Sequence, residues 1–144
     1  SACPDVMARK YAKLSLNLLN VLEAASGSEA YASDLGRRAR AEADAAFAAA
    51  GIQPATAESL RTGMRFADVE GTSRPGGSTF QSLARGATSL EADDLNGEIV
   101  LLGRLHGVPT PVNAMLQRLA LRLVAERIAP GSLPLADLEE AATA

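Results

Sequence analysis

A chain of 144 residues, 47% apolar and 22% charged, has the length and composition of one globular domain with a core of its own. A formal net charge of −3 gives no basic footprint for nucleic acid or for an anionic membrane. Cys3 is the only cysteine and His106 the only histidine, which excludes an internal disulfide and a cysteine-cluster or histidine-pair metal site and argues against a Ser-His-Asp triad. No apolar run approaches the roughly 20 residues of a membrane span, and the first residues lack the basic and apolar regions of a signal peptide. The expectation is a cytoplasmic protein without a metal. Because the chain opens only a few residues before its first helix, it is also expected to be a domain cut from something longer.

Taken in order, the chain is rich in strong helix formers and nowhere alternates with the period of two that a half-buried strand requires. A first helix is expected over 4–25, stopping near Gly27, and a second over 28–50, with Leu35, Ala39, Ala43 and Phe47 at i, i+4 spacing. Gly51 stands where a left-handed C-terminal glycine belongs. A third helix is expected over 56–69, a loop over 71–77, and a short helix over 80–85 stopped by Gly86. Thr88-Ser89-Leu90-Glu91 reads as a capping box opening the next helix, which ends at Gly107. After a Val108-Pro109-Thr110-Pro111 connector, Thr110 is the expected N-cap and Pro111 the first residue of a long helix to about Ile128. A final turn or two is expected over 133–141. The fold class is therefore all-α, one domain over 1–144.

The first helix carries the most informative pattern. Leu14, Leu16, Leu18, Leu19, Val21 and Leu22 cover most of its circumference, as in a buried helix. Yet Lys13, Asn17 and Asn20, at i, i+4 and i+7, share one narrow line, with Lys10 close to it. Polar groups on a buried helix need partners, at about 1–3 kcal/mol for each one left unpaired. Those partners are either internal or a polar ligand in a cleft. Lys10 and Lys13 are the only lysines, so any proton-donating side-chain amine is one of these two.

Four further places carry polar or unusual residues. Ser78 and Thr79 precede the Phe80 helix, where hydroxyls and backbone N–H groups make either an ordinary cap or a carboxylate site. Glu91 is explained by the capping box alone. Asn96-Gly97 places two poor helix formers inside a helix and so marks a close helix–helix approach. His106 fits a cation at a helix C-terminus. No Gly-x-Gly-x-x-Gly or Walker-type loop occurs, so the chain has no dinucleotide or nucleotide phosphate motif of its own.

The run Glu91-Ala-Asp-Asp-Leu-Asn-Gly-Glu-Ile-Val-Leu-Leu-Gly-Arg-Leu-His-Gly-Val-Pro-Thr-Pro-Val-Asn113 resembles the C-terminal signature of the ketopantoate reductase (2-dehydropantoate 2-reductase) family. Lys13-Leu14-x-x-Asn17 resembles that family's Lys-Leu-x-x-Asn helix, and Gly77-Ser78-Thr79 lies where the family has a serine pair about a dozen residues before the glutamate. The resemblance implies a helical domain of the 6-phosphogluconate-dehydrogenase C-terminal-like type, without the Rossmann NADP-binding domain that normally precedes it. It implies that the active site lies in the cleft between the two domains and that NADPH, bound by the missing domain, reduces the ketone of a small 2-oxo acid. Lys13 would be the general acid and Glu91 the supporting carboxylate, with Asn17, Asn20, Ser78 and Thr79 binding substrate. Two departures leave the identity of the acid open: Asn20 is seven residues after Lys13 where the family's second asparagine is at eight, and Thr79 replaces a serine.

The leading expectation is thus the substrate-binding and catalytic half of a 2-dehydropantoate 2-reductase of pantothenate biosynthesis, or of a paralogue acting on another 2-oxo acid. Alone it would be inactive. The rival is a non-enzymatic helical module for binding or oligomerisation, a homodimer being its simplest form, since an isolated cleft face exposes apolar surface.

Overall fold

The computed structural model describes residues 3–56, 58, 78–88 and 90–143. The third helix expected over 56–69, beyond its first residues, and the loop over 71–77 lie outside them. All regular structure among the described residues is helical: α1 Cys3–Asn17, α2 Asn20–Ser26, a 3-10 turn Ser28–Ala32, α3 Asp34–Ala50, α4 Ser78–Ala84, α5 Glu91–His106, α6 Pro111–Ala125 and α7 Leu135–Thr143.

The core is centred on α2. Val21, Leu22, Ala24 and Ala25 are wholly buried, and Leu35, Phe47, Ile99, Leu116 and Leu123 close around them from α3, α5 and α6. The ring of Tyr11 meets Phe47 edge-on, with centroids 5.4 Å apart, which seats α1 on the end of α3. The carbonyl end of α2 is satisfied from the far end of the chain: Gly131 N–H donates to Ala24 O at 2.8 Å and Leu133 N–H to Ala25 O at 2.9 Å. Helix ends buried without such partners are costly, so this tie anchors the segment that leads into α7, a fuller helix than the turn or two expected.

Helices α5 and α6 form a tight antiparallel pair. A Cβ on Gly103 would lie 2.5 Å from the Val108 carbonyl and 2.7 Å from Thr110 Cγ2, so only glycine lets the chain double back there. A Cβ on Gly97 would sit 3.0 Å from Gln117 Nε2, in keeping with the close approach expected at Asn96-Gly97.

Four local expectations are corrected. The first helix is not continuous over 4–25 but breaks at Leu18 and Leu19. The second begins at Asp34 rather than at residue 28, because Ser33 takes an extended conformation and its Oγ accepts Gly36 N–H at 3.0 Å, a local N-cap that stops the preceding 3-10 turn from running on. The capping box is not formed: α5 starts at Glu91 with Leu90 in the N-cap position and no side-chain cap. Thr110 and Pro111 hold the positions expected of them, but the Thr110 side chain makes no capping bond. That function passes to α3, where Glu42 accepts Val112 N–H at 2.8 Å and Asn113 N–H at 2.9 Å. A carboxylate from another helix thus satisfies the orphan donors of α6 and meets the positive end of its dipole.

Candidate active site

Lys13 is exposed on the outer face of α1 and makes no hydrogen bond or ion pair with the described residues. One turn on, Asn17 is half-buried as the last residue of α1. The face they share is framed by exposed apolar side chains, Val6 at 59%, Met7 at 44% and Leu16 at 64% exposure. The expectation that leucines cover this helix on most sides is therefore corrected: Leu14, Leu18 and Leu19 are buried, while Leu16 flanks the polar line in the open. Lys10 shares the face, with its Nζ 5.6 Å from the centroid of the Tyr11 ring. Tyr11 is pinned in turn, its hydroxyl donating to Glu98 Oε1 at 3.4 Å, and burial, reinforced by the Glu98 charge and hydrogen bond, pushes its pKa upward.

Asn20 opens α2 beyond the break. It is only 8% exposed, yet its amide makes no hydrogen bond to a described residue. Thr79, 5% exposed, lies in the first turn of α4, the helix packed against α2. Ser78 and Glu91 are the first residues of α4 and α5, and their side chains lie outside the described residues. The structure thus places Lys13 and Asn17 on one face of α1, and Asn20 and Thr79 on the paired helices α2 and α4. His106 is exposed in the last turn of α5.

Two polar clusters went unread in the sequence. In the first, the Tyr31 hydroxyl donates to Glu23 Oε2 at 2.5 Å, with Glu23 5% exposed, and Arg40 Nη1 donates to the Tyr31 carbonyl at 3.2 Å. Burial, then the hydrogen bond to Glu23 and its charge, push the Tyr31 pKa up to about 12 against an opposing pull from Arg40. The second runs from Glu42 to the break in the first helix. Asn113 Nδ2 donates to Glu42 Oε2 at 2.8 Å and to Ala39 O at 3.0 Å. Asn96 Nδ2 donates to Asn113 Oδ1 at 3.0 Å and to the Leu18 carbonyl at 3.2 Å. Both asparagines are wholly buried. The poor helix formers at Asn96-Gly97 gave a hint of the second cluster, whereas Glu23 and Tyr31 carry no sequence signal, because their pairing depends on how the 3-10 turn folds back.

Arranged this way, the α1 face offers an ammonium and an amide one turn apart, with apolar edges. That combination suits an anionic, partly polar small molecule whose developing negative charge a proton donor can neutralise. No group of three or more His, Cys, Asp or Glu side chains is placed to hold a metal ion among the described residues, and no helix there is long and apolar enough to cross a membrane.

Comparison with known proteins gives the family of the chain. Residues 5–123 match the family model for the C-terminal domain of ketopantoate reductase PanE/ApbA. Among solved structures, the chain is similar to a PanE/ApbA family ketopantoate reductase from Ralstonia eutropha JMP134, with 31% identity and a TM-score of 0.59 over 81% of this chain. The match spans 41% of that protein's length. No curated protein sequence matches. The chain belongs to the ketopantoate reductase family and carries its C-terminal helical domain.

Proposed function

We propose that this chain is the substrate-binding and proton-donating half of an NADPH-dependent reductase of small 2-oxo acids, with 2-dehydropantoate the leading candidate. The observation that carries the reading is Lys13: an exposed amine without a partner among the described residues, one turn from Asn17, in a domain of this family. When bound, the dinucleotide supplies the hydride. The chain has no glycine-rich phosphate loop, so its own contribution is the face that receives the acid. Asn17 and Asn20 orient the carboxylate and carbonyl, Ser78 and Thr79 add hydroxyl contacts, and Glu91 supports the bound acid. Lys13 Nζ donates a proton to the oxygen of the former ketone as negative charge develops there.

The test joins the chain to a dinucleotide-binding domain of the family and follows NADPH oxidation with ketopantoate and other 2-oxo acids. Lys13→Ala is expected to lower kcat by about 10²–10⁴. Activity that survives this substitution undiminished contradicts the role. A second reading, association through a helical face, is favoured by Leu101 and Leu105, one turn apart on α5 at 50% and 67% exposure, and by Leu121 on α6 at 57%. Sedimentation of the chain alone tests it: a homodimer that dissociates on Leu105→Glu supports association, and a monomer at all concentrations overturns it.

A further inference from the structure

Asn17 and Asn20 stand on either side of a break, and the break is held from outside the helix. A continuous helix would bond Val21 N–H to the Asn17 carbonyl and Leu22 N–H to the Leu18 carbonyl. Neither bond is formed among the described residues, while Glu23 N–H returns to Leu19 O at 2.9 Å. The Leu18 carbonyl accepts Asn96 Nδ2 instead. A side chain inserted into the backbone ladder is one of the few recognised causes of a sharp kink. Asn96 is in turn held by Asn113, and Asn113 by the Ala39 carbonyl and by the Glu42 carboxylate that also caps α6. One polar chain therefore runs from α3 through α6 and α5 to the junction of α1 and α2. For cohesion alone, apolar side chains of the same shape would serve about as well. What apolar side chains cannot do is hold a backbone carbonyl out of its own helix.

We propose that Glu42, Asn113 and Asn96 are positioning residues: by drawing the Leu18 carbonyl out of the ladder they set the angle between α1, which carries Lys13 and Asn17, and α2, which carries Asn20. The role rests on reading Lys13, Asn17 and Asn20 as substrate-facing.

The test uses this chain, isotopically labelled, with residual dipolar couplings reporting the α1–α2 angle and amide exchange reporting Leu22. In Asn96→Leu the freed Leu18 carbonyl is expected to bond Leu22, slowing exchange of that amide about tenfold and straightening the angle. Glu42→Gln, a milder change that preserves folding, is expected to move the couplings in the same direction. In the joined two-domain protein, Glu42→Gln is expected to raise KM for the 2-oxo acid about tenfold. Leu116→Ala, matched for lost stability, leaves KM unchanged. Couplings that stay at wild-type values in folded Asn96→Leu and Glu42→Gln overturn the device whatever the kinetics. Couplings that move while KM does not leave the device standing and overturn the roles given to Asn17 and Asn20.

Discussion

Lys13 and Asn17 on the outside of α1, and Asn96 and Asn113 behind the α1–α2 junction, are built from similar side chains in opposite circumstances. The first pair has no partner among the described residues and lies open between Val6, Met7 and Leu16. The second pair is wholly buried, with both amide nitrogens engaged twice and a carboxylate closing the chain, and of their side-chain atoms Asn96 Oδ1 alone has no partner among the described residues. A buried polar group left unpaired costs about 1–3 kcal/mol, so burial forces a protein to supply partners internally. An exposed group has water, and can exchange that water for a ligand. The comparison teaches that polar side chains whose partners are already inside the fold set geometry, and those whose partners are missing are where chemistry can happen.

This contrast can be broken by experiment. The largest effect is expected from Lys13→Ala, which in the joined two-domain protein removes most of kcat yet changes folding stability by less than about 0.5 kcal/mol, as for an exposed side chain. Parallel kinetics and denaturant titration check both halves. Asn113→Ala should do the reverse at first order. It removes the side-chain donor to the Ala39 carbonyl, leaves one Asn96 N–H without a partner, and is expected to cost about 2–4 kcal/mol, read as a lower denaturant midpoint with an unchanged slope. A large kcat effect with no stability loss in Asn113→Ala would reverse the assignment.

Tyr31 sharpens the comparison with pH. Its folded pKa of about 12 stands above the ordinary value of 10.0, so the folded state holds this proton more tightly than the unfolded chain. The resulting stability is fully present below pH 10 and is lost as pH rises toward 12. Denaturation midpoints across that window should fall in the wild type and fall less steeply in Tyr31→Phe. The smallest effect is expected at Arg127, which ends α6 with φ of 51°. Its N–H returns to Val124 O at 3.2 Å and Ile128 N–H to Leu123 O at 3.0 Å, a Schellman closure that favours glycine at this position. Arg127→Gly should stabilise by about 1 kcal/mol, measured by thermal unfolding.

Much of this architecture could be read before any coordinates. Gly51, Gly86 and Gly107 end helices in left-handed conformations, as expected of glycine after a helical run. Pro111 opens α6 where its missing N–H costs nothing. The family was legible in the run from Glu91 to Asn113, and residues 5–123 match its C-terminal domain. What misled the reading was local reasoning where tertiary partners compete. Thr88 and Glu91 have the spacing of a capping box, yet the helix starts at Glu91 without one. Thr110 was given the cap that Glu42 makes from another helix.

The sequence by itself determined an all-helical chain, its glycine stops and its family, because helix propensity, left-handed glycine and motif spacing act over a few residues at a time. Only the tertiary structure decided that the first helix breaks, that Leu16 lies outside while Leu18 and Leu19 lie inside, and that Asn96 takes the Leu18 carbonyl from 78 positions away. The physical reason is that a backbone carbonyl bonds its helical neighbour by default. A buried amide with nowhere else to donate overrules that default once packing has brought the two together.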